Sequence, residues 1–416
     1  MVFIVPQHLR TPLLKILLAH KEASKEDVKY RNTCFYIRKI DFDQNFSNQD
    51  YKSTLSEGAV ICGTGTAFPA QKYTQTQVSD LLGIDNKTVQ KLLAAKHIQT
   101  RHLYLPTPAP GKKAIHEETH EELNKKFDDG VLDIGLRAAS LALADSPFDK
   151  SEIDFLICVT SSGFRVPGVS SVIARAMDLN KNLYRLDVVG MGCNAGMSAL
   201  RTAEALARTG QKGILLCCEI NSAIYVRDES IRTGIVNSLF GDGASAFVLS
   251  DQKSYRLKNH GTEDQLAIST EILGFSSFTI PEHWEAMRFD WNSMQKKWSF
   301  GLSKQIPFVV GENLKTPVAA ILQKHGLKKS MIKHWTLHTG GAAVIEGAMR
   351  SLGISEFDVR HTRAVMNDYG NISSGSFLVS HKKLLDEGRI KDQDYGIMAA
   401  MGPGATLEVC LVRYHL

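Results

Sequence analysis

The stretch RLDVVGMGCNAGMSALRTAEAL, residues 185–206, places Cys193 between an apolar β-branched run and a helical pattern. Glycines stand on both sides of the thiol, and glycine permits both a tight strand-to-helix turn and a close approach of substrate to the backbone. The start of a helix favours a thiolate, because unpaired N–H groups and the helix dipole stabilise the anion. By itself the position slightly favours an inert buried cysteine, which is the commoner fate in a strand-rich core. The rest of the sequence is needed to distinguish a reactive cysteine from an inert one.

The composition is that of a folded globular chain. Its 416 residues, 43% hydrophobic and 22% charged, are enough for one large core or two fused domains. The net charge of +5 is small for this length and is spread without a dense basic block, so we do not expect a nucleic-acid partner. The seven cysteines show neither CxxC pairs nor zinc spacing, which predicts reduced thiols in a cytoplasmic protein without a metal.

The first 57 residues are predicted to be an N-terminal extension of unknown role. Proline and basic residues interrupt its apolar start, and no apolar run approaches the roughly 20 residues that span a bilayer. We therefore predict neither a signal peptide nor a membrane anchor. Pro12 suits the first position of a helix, which predicts an amphipathic helix from Pro12 to about Val28.

Strand and helix patterns alternate after this extension, which predicts an α/β protein with a largely parallel sheet. Two stretches of the chain also recur in altered form. FGDGASAFVLS at 240–250 resembles MGPGATLEVCLV at 401–412. IDFLICVTSSGFRVPGVSSVIARAMDL at 153–179 resembles IKHWTLHTGGAAVIEGAMRSLGI at 332–354. Recurrence in the same order predicts a duplicated chain.

A third pair of stretches, RLDVVGMGCNAG and RAVMNDYGNISSG, relates Cys193 to Asn371, while His338 closes the strand between them. Taken singly, the histidine fits a hydrogen-bonded core residue and the asparagine fits an ordinary turn. Three reactive residue types at equivalent strand ends instead predict a functional site at the carboxyl edge of the sheet, where α/β folds bind ligands. We divide the duplication into a cysteine-bearing half, 58–251, and a half with histidine and asparagine, 252–416.

From about Ala59 to the C-terminus, the sequence resembles the thiolase-fold condensing enzymes, specifically the chalcone-synthase-like type III polyketide synthases. The motifs that carry this resemblance are GMGCNAG, GIVNSLFGDGASA, LHTGGAAVIE, NDYGNISSGS and MGPGA. The resemblance implies a duplicated α-β-α-β-α layered fold and a homodimer. It implies no cofactor, because CoA thioesters are substrates. Within the family, RLDVVGMGCNAG, VRHT and DYGNISSGSF are most similar to the branch that builds (3,5-dihydroxyphenyl)acetyl-CoA from malonyl-CoA alone.

The same resemblance implies roles for the three reactive residues. Cys193 would take an acyl group from CoA as a thioester, and His338 would hold the thiolate as an ion pair. His338 and Asn371 would donate hydrogen bonds to the thioester oxygen of an incoming malonyl group. Such donors stabilise the enolate that decarboxylation leaves behind.

Five further residues are implied to contact the substrate. Lys96 and Arg101 match basic residues that face CoA phosphates at the mouth of a tunnel, for which an exposed charged face is the alternative. Tyr225 and Phe300 match aromatic gates between tunnel and cavity, with core packing as the alternative. Met401 stands where plant enzymes place a phenylalanine that shapes the cavity.

Departures from the plant pattern leave the product open. Val166 stands where plant enzymes have a methionine that reaches across the dimer, and cavity shape decides starter, chain length and cyclisation. Another acyl-CoA starter, giving a pyrone or resorcinol, is therefore the alternative product. A papain-like hydrolase has the same chain order of cysteine, histidine and asparagine, but its cysteine lies near the mature N-terminus. A catalytically inactive subunit is a third alternative, against which the intact trio argues.

Overall fold

The structure is a computed structural model that describes residues 58–228, 230–259 and 268–416. The helix predicted from Pro12 to Val28 lies outside the described residues. The strands are β1 (Ala59–Ala67), β2 (Lys72–Thr74), β3 (Thr100–His102), β4 (Phe155–Thr160), β5 (Tyr184–Val189), β6 (Gly213–Glu219), β7 (Gly243–Asp251), β8 (Ser269–Thr279), β9 (Met287–Asn292), β10 (Lys297–Leu302), β11 (Ile332–Leu337), β12 (Tyr395–Gly402) and β13 (Thr406–His415). The α-helices are Gln75–Leu82, Lys87–Leu93, His120–Gly130, Leu136–Ala144, Val169–Ala176, Ala195–Ala207, Ile231–Leu239, Gln252–Asn259, Ile306–Asn313, Lys315–Lys324, Ala342–Leu352, Arg360–Tyr369 and Ser376–Glu387.

Nine of these strands form one sheet, in the order β11-β12-β13-β8-β1-β7-β6-β4-β5. On one side of the β1–β8 junction the order is β1, β7, β6, β4, and on the other side it is β8, β13, β12, β11. The second half therefore repeats the first, as the recurring stretches predicted.

The prediction of a largely parallel sheet is wrong. β4 runs parallel to β5 and β6, and β11 runs parallel to β12, but the remaining neighbours in this sheet are antiparallel. The connections supply the reason, because parallel neighbours need a long crossover whereas a short turn permits only antiparallel pairing. β12 and β13 are joined by the turn Pro403–Ala405.

Two central helices, Ala195–Ala207 and Ser376–Glu387, contact strands of both halves of the sheet. Their small and apolar residues share one buried cluster with residues of β1, β6, β7 and β12. Other helices cover the outer faces, with Leu136–Ala144 on β1 and β7 and Lys315–Lys324 on β8 and β13. The two halves of the sheet count as two β layers, with the central helices contacting both and the other helices outside. This is the α-β-α-β-α arrangement that the resemblance implied.

The segment before Asn371 corrects one part of the predicted repeat. The strand β5 precedes Cys193, but the helix Arg360–Tyr369 precedes Asn371. In that helix the buried residues are His361, Thr362, Val365 and Met366, which repeat at helical spacing rather than alternating. Asn371 therefore follows a helix and lies at no strand end, whereas His338 directly follows β11 as predicted.

In the ranges that the structure describes, the search for a helix both long and apolar enough to cross a membrane found none.

Acid should destabilise this fold in part through His381, a fully buried residue of a central helix. Its ring stacks on Tyr414 and packs edge-on against Phe247, and burial lowers its pKa from 6.5 to about 3. The unfolded chain then binds a proton below pH 6.5 that the folded chain does not, so stability falls as pH falls from 6.5 towards 3, by about 1.4 kcal/mol per pH unit for this residue.

We expect His381→Gln to make the free energy of unfolding, measured in urea between pH 7 and pH 5, less dependent on pH. The matched control is His283→Gln, in a turn at the surface. If both variants kept the pH dependence of the unchanged chain, His381 would not carry this effect.

Candidate active site

Cys193 lies in the 3-10 turn Gly192–Asn194, and the helix Ala195–Ala207 follows directly. The thiol is 6% exposed and lines a cavity of about 740 Å³. Gly192 has φ +72°, and a Cβ there would overlap the ring of Pro403. The glycine before the thiol is therefore required both by its backbone conformation and by the space available.

The turn Ser373–Gly375 lies against the turn that carries Cys193. A Cβ on Gly196 would overlap the carbonyl oxygen of Ser374, and one on Gly375 would lie 2.5 Å from the hydroxyl of Ser245. Glycine at 196 lets the beginnings of the two central helices approach each other closely, and glycine at 375 lets its turn pack against the strand β7. This approach brings the two halves of the duplicated chain together at the thiol.

Ser373 connects the three predicted catalytic residues. Its hydroxyl oxygen lies 3.5 Å from Sγ of Cys193, and its backbone N–H donates to Oδ1 of Asn371 over 2.8 Å. A hydrogen bond with the Ser373 backbone also raises the pKa of His338, although burial outweighs it. The sequence analysis quoted this serine within NISSGS but gave it no role.

The predicted catalytic residues and Ser373 differ in their access to the cavity. Cys193 and Ser373 belong to its lining, whereas His338 and Asn371, each 2% exposed, lie outside the lining. Nδ1 of His338 has no hydrogen-bond partner among the described residues. The Ser373 N–H fixes the Asn371 amide through its oxygen, so the amide NH₂ is the group left to donate.

Burial opposes charge on both reacting groups. It raises the pKa of the Cys193 thiol to about 12, with a smaller contribution from the carboxyl of Glu219, and lowers the pKa of His338 to about 4. The thiolate–imidazolium pair between them stays a prediction. A neutral imidazole can still accept the thiol proton as the sulfur attacks a carbonyl.

Two phenylalanines form the aromatic wall beside the thiol. Phe240 and Phe300 both line the cavity, and their rings meet edge to face with centroids 5.8 Å apart. Tyr225 does not line the cavity. Its hydroxyl donates to the Phe240 carbonyl over 2.6 Å and accepts from Arg101 over 2.8 Å, which holds the ring in the interior. Tyr225 therefore takes the alternative of core packing, and Phe240, within the quoted GIVNSLFGDGASA, lines the cavity instead.

Arg101 is fully buried, so the prediction that it faces CoA phosphates is wrong. Its guanidinium donates to the Gln75 side chain over 2.8 Å and to the carbonyls of Asn237 and Phe240 over 2.6 and 2.7 Å. It thereby supports the segment that carries Phe240. Lys96 is exposed, and its contact with CoA stays a prediction.

Met401 is also buried, at 4% exposure, in the apolar cluster that contains Cys193, Phe240 and Phe300. The cavity surface at this loop is formed by Pro403 and Gly404. Met401 thus packs behind the cavity wall, and its contact with substrate stays a prediction. Across the described ranges, no cluster of three or more histidine, cysteine or acidic residues suited to a metal ion was found.

Comparison with known proteins agrees with this fold. The family described as "Chalcone and stilbene synthases, N-terminal domain" matches residues 47–252, and the corresponding C-terminal domain matches residues 280–415. The chain belongs to this family, and it is a type III polyketide synthase.

Relatives extend over nearly the whole chain. A "3,5-dihydroxyphenylacetyl-CoA synthase" from Amycolatopsis balhimycina is 38% identical over 364 residues, 87% of this chain and 95% of the relative. One of the same name from Streptomyces toyocaensis is 39% identical over 356 residues, 85% of this chain and 90% of the relative. The C-terminal type III polyketide synthase domain of a type I/III hybrid from Dictyostelium has a TM-score of 0.76 at 26% identity and covers 86% of this chain and 100% of that domain. The fold and family exclude the papain-like alternative.

The corrected position of Arg101 predicts a structural effect of its removal. Arg101→Met leaves the carbonyl of Asn237 and the side-chain oxygen of Gln75 without this donor in the interior, and each such group costs roughly 1–3 kcal/mol. We expect the free energy of unfolding, measured in urea, to fall by several kcal/mol. The matched control Lys96→Met removes an exposed cation and should leave stability unchanged, so equal stability of the two variants would contradict this assignment.

Proposed function

We propose that this enzyme loads an acyl group onto Cys193 and extends it with malonyl-CoA. The observation that carries the proposal is the arrangement around Ser373, which joins the thiol, the imidazole and the amide from both halves of the chain. In the loading step the sulfur attacks the carbonyl carbon of an acyl-CoA while His338 accepts the thiol proton. The C–S bond to CoA breaks, and CoA leaves as a thiol after taking that proton.

The extension step uses the donors. Decarboxylation of malonyl-CoA breaks the bond to the carboxylate, releases CO₂ and moves the electron pair onto the thioester as an enolate. The amide of Asn371 and the imidazole of His338 stabilise the enolate oxygen, as in an oxyanion hole. The enolate carbon then attacks the acyl thioester on Cys193, so that the lengthened chain is on CoA and the sulfur is free again.

Malonyl-CoA alone is the proposed source of carbon, and (3,5-dihydroxyphenyl)acetyl-CoA is the proposed product. Support comes from relatives of 38–39% identity named for that product, which span most of the chain. A cavity of about 740 Å³ next to the thiol offers space for a folded chain. A CoA ester with another starter, leading to a pyrone or resorcinol, is the alternative, and no cofactor is proposed.

Incubation of the purified enzyme with malonyl-CoA alone tests this proposal. After thioester hydrolysis, we expect mass spectrometry to detect dihydroxyphenylacetic acid. Cys193→Ala should abolish the product, whereas Cys217→Ala, which removes another buried thiol, should retain it. A lactone, or dependence on an added acyl-CoA starter, would overturn the proposed product and leave the condensing activity in place.

The roles of Asn371 and His338 differ in a measurable way. Because the amide of Asn371 acts when enolate charge develops, Asn371→Ala should slow malonyl-CoA decarboxylation about 100-fold or more while acyl loading changes little. His338→Ala should slow both half-reactions. Loading is followed by intact mass of the acylated chain and decarboxylation by release of labelled CO₂, and equal losses in both for Asn371→Ala would make it a structural residue.

We also infer a homodimer built on the edge strand β5, which pairs with β4 on one side only. Exposed apolar side chains surround this edge, namely Phe164, Val166, Tyr184, Val189 and Met191. An unpaired edge with an apolar surround favours pairing with another chain. Two of these residues, Phe164 and Val189, also line the cavity, so a partner bound here would help to close it.

Light scattering at micromolar concentration should give twice the chain's mass. Phe164→Asp should shift it towards the monomer, because burying a carboxylate in an apolar interface is unfavourable. Phe308→Asp places the same charge on a residue of similar exposure away from β5 and should keep the dimer. A monomeric unchanged chain would contradict the inference.

The division of the chain stays a prediction, with an extension at 1–57 and halves at 58–251 and 252–416. Cys62, Cys158, Cys193, Cys217, Cys218 and Cys410 are free buried thiols. These thiols support a reducing compartment, and we propose the cytoplasm.

A further inference from the structure

The ionisable residues that line the cavity are all basic. They are His120, Arg288 and Lys297, and within the described chain no aspartate or glutamate belongs to the lining, although Arg288 pairs with Glu285 and Asp290 outside it. Most of the remaining lining is apolar or glycine, including the phenylalanines beside Cys193. A cationic wall in such a cavity favours a ligand with negative charge.

Lys297 is the buried member of this group. Its side chain is 5% exposed, whereas His120 and Arg288 are exposed residues. It begins β10, and Phe300 lies three residues further along the same strand. Burying an ammonium is unfavourable unless an anion accompanies it, so the position needs a negative partner.

Glu117 is one such partner, and it is shared with a second cation. The Lys297 ammonium pairs with Oε1 of Glu117, and the other oxygen of that carboxylate lies 3.5 Å from Nε of Arg227. Among the described residues, one carboxylate thus serves two cations. Glu117 is 42% exposed and stays outside the cavity lining, and an ammonium has three N–H donors, so donors remain for a further oxygen.

We infer that Lys297 binds an anionic oxygen of the acyl chain inside the cavity and thereby selects and orients that chain. The inference rests on the proposed function, which supplies two sources of such an oxygen. One is the carboxylate of a malonyl starter, and the other is the enolate of a 1,3-dicarbonyl in the growing chain. Either contact would hold one end of the chain while the other end is attached to Cys193 or CoA.

Lys297→Met removes the charge and keeps a flexible apolar side chain of similar length. The first measurement is the ratio of Kd values for malonyl-CoA and acetyl-CoA, which differ by one carboxylate, in a Cys193→Ala background that blocks condensation. If the starter carboxylate is the ligand, Lys297→Met should weaken malonyl-CoA binding about tenfold relative to acetyl-CoA. The second measurement, with Cys193 present, is the ratio of aromatic to lactone products. If the enolate is the ligand, this ratio should fall while the Kd ratio is unchanged.

Three variants separate substrate contact from a structural role. Lys296→Met removes the neighbouring exposed lysine and should retain both ratios, while Lys297→Arg should restore most of what Lys297→Met loses. Unchanged ratios in Lys297→Met would overturn the inference, and so would a Glu117→Gln variant that reproduces the whole effect, because Lys297 would then act only through that ion pair.

Failure of the proposed product is distinguishable from failure of this inference. If the unchanged enzyme makes another polyketide, the proposed product is wrong. The Kd ratio and the ratio of cyclised to uncyclised forms of that polyketide still decide the role of Lys297.

Discussion

The close approach of two turns, Gly192–Asn194 and Ser373–Gly375, is the constraint on which this site depends. Each turn begins a central helix, and each helix comes from a different half of the duplicated chain. The approach is possible because Gly196 has no Cβ to overlap the carbonyl oxygen of Ser374 in the opposite turn. A methyl group at Gly196 would push the two turns apart, and with them Cys193 from Ser373. The catalytic geometry is therefore a property of the packing between repeats and of neither repeat alone.

The same packing determines the electrostatics of the site. Enclosure between two halves of a sheet removes water from the thiol and the imidazole, so the pKa of Cys193 rises to about 12 and that of His338 falls to about 4. Fixed donors, such as the amide oriented by the Ser373 N–H, act on charge that develops later and need no titration.

The residue inferred to select the substrate, Lys297, lies on a different element, the hairpin of β9 and β10. Among the described strands these two pair only with each other, outside the nine-stranded sheet, and they contribute Phe289, Lys297 and Phe300 to the cavity. A small hairpin can change its side chains without disturbing the central sheet. The separation lets one condensing machinery serve cavities of different shape and charge.

The sequence predicted those features of the site that depend on residues close together in the chain. The run before Cys193, the glycines around it and the strand that ends before His338 are patterns of neighbouring residues, and the recurring stretches predicted the repeated strand order. Burial is not such a pattern. The sequence around a basic residue such as Arg101 does not distinguish a side chain that faces solvent from one that supports Phe240 from within. Tyr225 and Phe240 are likewise both aromatic residues near a turn. Only the tertiary structure decided which of them line the cavity, because that depends on how distant segments pack, as in the junction of Cys193 with Ser373 across 180 residues of chain.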